Sequence, residues 1–111
     1  MAVSVKNIVP GKTVENTQTT QYTASGVTTI IDKFTATNYS GTAATISVNL
    51  VTTGGSAGNT NIVTKTKTLQ PAEVYTFPEL VGQVLNRGDF ISTLAGTAGA
   101  INMRVSGREV T

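Results

Sequence analysis

Cysteine, histidine and tryptophan are all missing from the 111 residues. Without cysteine there is no disulfide framework and no thiolate metal site. The fold must then rest on its core alone, which suits synthesis and function outside an oxidising compartment. Without histidine, proton transfer near neutral pH and nitrogen ligation of metals lose their first candidate. Charge is also scarce, at 13% of residues and a net +2. The basic residues are scattered, with Lys65 and Lys67 as the one close pair, whereas nucleic-acid binding calls for a dense basic stripe with stacking groups. No apolar run is long enough to cross a membrane as a helix. The opening MAVSVKNIVP lacks the basic-then-apolar layout of a secretory signal. A soluble chain with no nucleic-acid partner and no membrane partner is expected.

Catalytic chemistry is equally thin. The six carboxylates Glu15, Asp32, Glu73, Glu79, Asp89 and Glu109 are dispersed, with neither a short-range pair nor the alternating acids of a calcium loop. Glycosidase chemistry needs two acids flanking a sugar bond, and a distant pair such as Asp32 and Asp89 is left open. No serine lies in a Gly-x-Ser-x-Gly elbow. The glycine-rich Thr52–Asn61 (TTGGSAGNTN) lacks the Lys-Ser/Thr and the following helix of a phosphate loop. No catalytic residue, cofactor or metal ligand is assigned, and the chain is not expected to be an enzyme. Arg87-Gly88-Asp89 and Asn38-Tyr39-Ser40 superficially match adhesion and glycosylation motifs, but both read as turn chemistry.

What the sequence does contain is threonine and alternation. Threonine is β-branched with a polar head and suits the wet face of a strand. Glycine and proline fall between alternating runs, and no stretch holds a helical period. One domain over residues 1–111 is expected, an all-β antiparallel sandwich of about eight strands.

The organising stretch is Val27–Val51. Ala44, Ile46, Val48 and Leu50 alternate with Thr45, Ser47 and Asn49, so one face meets the core. Asn38-Tyr39-Ser40-Gly41 suits a type I turn ending in a left-handed glycine, which predicts a hairpin. Its register places Ala36 opposite Ala44, Phe34 opposite Ile46 and Ile30 opposite Leu50. Asp32 would then face Val48 among the apolar pairs. A β-bulge near Ile31-Asp32, turning the acid out and Ile31 in, resolves the conflict.

Elsewhere, residues 1–15 read as an extended arm or as an edge strand of the sandwich. Residues 16–25 are polar on both faces. Ile62–Leu69 reads as an edge strand guarded by two lysines, followed by a turn at 70–73 and a short strand at Val74–Phe77. An irregular segment at 80–85 closes one end of the core. Phe90–Ala95 and Ile101–Val105 form the last strands, joined by a glycine-rich hairpin loop.

The stretch LQPAEVYTFPELVGQVLNRGDFISTLAGTAGAINMRVSGREVT, together with NYSGTAATISVNLV, resembles the capsid decoration (cementing or staple) proteins of short-tailed bacteriophages of the epsilon fifteen type. The resemblance implies a jelly-roll-like sandwich on the outside of an icosahedral head. It also implies a homodimer that bridges copies of the major capsid protein after synthesis in the host cytoplasm. An alternative expectation is a tail-associated or carbohydrate-binding β-sandwich module. The partner contacts expected from the residues are Val3, Val5, Lys6 and Ile8 in the first segment, Tyr22 in the polar stretch, and Gly54, Gly55 and Asn59 in the loop.

Overall fold

Alternation extends along nine strands in the computed structural model, which describes residues 2–111. They are β1 (Val3–Thr13), β2 (Thr19–Thr23), β3 (Thr28–Asn38), β4 (Ala44–Val51), β5 (Ile62–Leu69), β6 (Val74–Tyr75), β7 (Val84–Leu85), β8 (Phe90–Ala95) and β9 (Ile101–Val110). Two antiparallel sheets face each other. One has the order β1-β9-β3-β6, with β7 also paired to β3, and the other has β2-β8-β4-β5. The chain is an antiparallel β-sandwich. Its core is formed by the inward residues of both sheets, among them Phe34, Ala36, Ile46, Val48, Ile91, Ile101, Met103 and Val105.

The pairings obey a simple rule. Val3 lies opposite Val110, Thr23 opposite Phe90, Thr29 opposite Leu85 and Ala44 opposite Leu69. Residue i of the first half thus meets a residue within two places of about 113 − i in the second. The chain is one long hairpin with its tip near the 52–61 loop. Winding that ribbon on itself makes the two remaining seams, β9 with β3 and β8 with β4.

The expected β3–β4 hairpin is not formed. The two strands belong to opposite sheets, and their apolar faces meet across the core. Alternation specifies which face is buried but not whether the partner lies beside it or across from it. The turn is instead a corner between sheets. Buried Asn38 donates from Nδ2 to Thr42 O and Leu69 O, both at 2.9 Å, and its Oδ1 accepts from Ser40 N and Ser40 Oγ. Gly41 is not left-handed. The 96–100 loop crosses between sheets too, so it is not a hairpin loop, and the last strand runs on to Val110.

The bulge is present, but against β9. Register slips between Ile31 and Lys33, which places Asp32 as the extra residue. Ile31 turns inward and is fully buried, and Asp32 is exposed. Arg108 donates to it from Nε and Nη2 at 2.9–3.1 Å. Opposite the bulge, a Cβ on Gly107 would collide with Ile30 O, so only glycine lets β3 and β9 close here.

Candidate functional site

The features of this fold that lie open to a partner are its edges and loops. A two-sheet sandwich has four edges, here formed by β1, by β6 and β7 together, by β2 and by β5, and three of these edges are guarded along their whole length. β5 bears the exposed Lys65, a left-handed Thr66 and two register slips against β4. β6 and β7 are two residues each. β2 is short, polar and bulged between Thr20 and Tyr22. Lysines, bulges and brevity are the usual protections against unwanted pairing.

β1 carries the same devices only from Lys6 onward, with Lys6, Pro10, Lys12 and two slips. Its first stretch pairs with β9 regularly from Val3 to Lys6, before the register slips between Lys6 and Val9 and again before Lys12. Thr111 N donates to Ala2 O. In a regular antiparallel ladder such inward bonds recur at every second residue. Ser4 and Lys6 therefore bond to β9, and the N–H and C=O groups of Val3 and Val5 point away from the sheet. The side chains of Val3 and Val5 are 56% and 83% exposed on the outer face of the sheet. Val5 there begins a row that continues through Arg108 and Ile30 to the exposed Val84.

Lys6 faces the other way. Its Nζ lies 3.0 Å from Glu109 Oε1, inside the open flank between β1 and β2. Glu109 Oε2 accepts from Tyr22 Oη at 2.5 Å, and that hydroxyl lies 2.7 Å from buried Thr29 Oγ1. Donation by Tyr22 first, then Lys6, holds the Glu109 carboxyl below its ordinary value. Burial, reinforced by Glu109, pushes the Tyr22 phenol up to about 12. Nearby, Lys12 and Gln21 hold Glu15, and Gln21 also donates to Thr93 Oγ1.

Two expected contact residues are thus turned toward the interior, Ile8 buried and Tyr22 half-buried. Ile8 is 9% exposed and packs in the core, because it lies two residues beyond the inward-facing Lys6, and the slip that follows turns Val9 inward beside it. The Tyr22 hydroxyl is committed to Glu109 and Thr29. Val3 and Val5 remain on the surface, and Lys6 is half exposed but paired.

The 52–61 loop carries Gly54, Gly55 and Asn59 on the surface and is well braced. Asn49 donates to Gly58 O and Asn61 Oδ1, and Asn61 donates to Ser56 O. Asp89 accepts from Thr53 N and Asn86 N, and a Cβ on left-handed Gly88 would run into the Thr53 side chain. The Arg-Gly-Asp triplet is thus a structural turn with its acid already occupied. Between this loop and β7 lies a cleft of about 360 Å³ with Leu50, Ile62 and Leu85 in its wall and Thr60 and Gln83 on its polar side. Asn49 and Asn61 were not legible as loop braces, since in sequence they are ordinary strand and loop polar residues.

The carboxylates are spread around the molecule. Asp32 and Asp89 border different clefts. Glu79 accepts from Thr64 and Tyr75, and Glu73 caps the turn at Gln70 N. Among the described residues, no three Asp, Glu, His or Cys gather as a metal site would require.

No protein-family model, curated protein or solved structure matches this chain.

Proposed function

We propose that the chain is a non-catalytic capsid decoration protein of a bacteriophage. It binds the outer surface of the icosahedral head and strengthens contacts between major capsid proteins. The observation that carries the reading is the regular, exposed Val3–Lys6 stretch that opens the β1 edge, on a molecule whose other edges are protected and whose carboxylates are used within the fold. An open edge is a hazard unless a partner fills it. A shell offers that partner in many copies, where modest contacts add up to firm attachment. The strand order supports a jelly roll, in which a single ribbon is wound so that its hairpin pairs alternate between two sheets. Stacking platforms for a sugar are few. The hydroxyls of Tyr22 and Tyr75 both bond to glutamates inside the sandwich flanks.

The test is a copy count. Quantitative mass spectrometry of purified virions should find the chain on heads in numbers comparable to the major capsid protein. Heads lacking it should rupture at lower temperature. A few copies confined to tails would replace this reading with the tail-module alternative.

A further inference from the structure

We infer that the Val3–Lys6 edge of β1 is a strand acceptor, filled by a short uncharged extended segment of the shell protein running antiparallel to β1. The inference rests on the decoration reading above and specifies how the attachment is made.

The acceptor is defined by its backbone. Val3 and Val5 offer outward N–H and C=O groups, while Ser4 and Lys6 spend theirs on β9. The slip after Lys6 breaks the regular spacing, and Pro10 has no N–H to give. Only about four or five residues of a partner strand fit before the edge ends. On the outer face the incoming residues meet Val3 and Val5, so alternate positions must be apolar or β-branched. On the inner side they meet Ser4 and the Lys6–Glu109 pair. The one charge in this stretch is already neutralised, so a charged segment gains nothing here.

The extent of the edge selects the occupant. A strand of this length covers far less than the roughly 1,000 Å² that a stable pair of proteins in solution needs. Two copies joined by this edge alone would separate on dilution. A shell protein that presents the same segment at hundreds of sites, and contacts other parts of the sandwich as well, turns the same four backbone bonds into a seated strand.

Proline at position 5 isolates the edge. Val5 N–H points to solvent, so Val5→Pro removes an outward donor and leaves the β9 ladder intact. Val74→Thr, at an exposed valine on the far edge of the same sheet, serves as the control. Binding of the full chain to purified heads that lack it should fall at least tenfold for Val5→Pro and stay near wild type for Val74→Thr, with unchanged unfolding midpoints. In hydrogen exchange, the Val3 and Val5 amides should be fast in the free protein and at least tenfold slower on heads. Val5→Pro binding within twofold of wild type, or unprotected Val3 and Val5 amides on bound heads, would overturn the acceptor. So would a wild-type dimer that Val5→Pro splits, since the occupant would then be a second copy. If the unmodified chain does not bind heads at all, the decoration reading itself fails.

Discussion

The two open flanks of the sandwich are closed by the same four residue types, arranged differently. Between β1 and β2, Glu109 accepts from Tyr22, pairs with Lys6, and is linked through the phenol to Thr29. On the β5–β6 side, Glu79 accepts from Tyr75 and Thr64, and Lys67 sits 4.9 Å over the Tyr75 ring. The first clasp joins four strands, β1, β2, β3 and β9. The second joins β5, β6 and the segment that follows. Only the second is backed by an apolar plug, since buried Phe77 packs 4.6 Å from Phe34 and 4.5 Å from Tyr75, ring centre to ring centre. The flank beside the guarded edges is anchored in the core, whereas the flank beside the open edge is held by polar contacts. Polar contacts hold geometry with little burial, in keeping with the acceptor role proposed for β1.

The two flanks differ most at the plug. Phe77→Ala should lower stability by about 3–5 kcal/mol in urea unfolding, and no single side chain on the β1–β2 flank should match it. Next come the carboxylates. Glu109→Gln and Glu79→Gln should each cost about 1.5–3 kcal/mol, as expected for hydrogen bonds to a charged acceptor. They share no partner, so the double variant should be additive within about 0.5 kcal/mol. Hydrogen exchange separates them, because only Glu109→Gln should speed exchange at Ser4 and Lys6.

The tyrosines should show smaller effects. Tyr22→Phe and Tyr75→Phe should each cost about 1 kcal/mol. In ultraviolet titration each should remove one phenol that ionises near pH 12, the value to which both are raised. Raised phenols contribute stability that is complete below their unfolded value and is lost as pH climbs through about 12. Glu15, Glu79 and Glu109 are shifted the opposite way, below an ordinary value near 4.5. Their contribution is present above that value and is lost as pH falls through the lowered ones. Acid unfolding of Glu109→Gln should therefore be less steep than that of wild type. The smallest effect belongs to the exposed Asp32–Arg108 pair, where Asp32→Asn should change stability by less than about 1 kcal/mol.

Much of the fold was legible from period alone. Alternation identified the inward residues of β3 and β4, the edge character of β5, and the bulge at Asp32, because a misplaced acid in a period-two run has few remedies. Strand partners were not legible. Hairpin chemistry at Asn38–Gly41 suggested neighbours in one sheet, while burial of two apolar faces placed them across the core. The candidate site was half legible. Val3 and Val5 stood out as apolar residues at the start of the chain, and period two sets Ile8 on the opposite face from them, but the slip that turns Val9 inward as well leaves no mark in composition. Nor could sequence spacing bring Tyr22 and Glu109 together, 87 positions apart.

The ribbon rule also bears on how the chain folds. Pairing residue i with one near 113 − i makes the β1–β9 seam the most distant contact in sequence and the β4–β5 seam the nearest. Loop-closure entropy then favours assembly from the tip outward, with β1 docking last. Ala2 and Thr111 are hydrogen-bonded neighbours, so a short linker between them and a new opening in the 52–61 loop would turn the same ribbon inside out. The most distant seam would become the local one, and β1 would dock among the first strands. Comparing refolding of the two chains would show whether a late-docking β1 leaves its edge open long enough to aggregate.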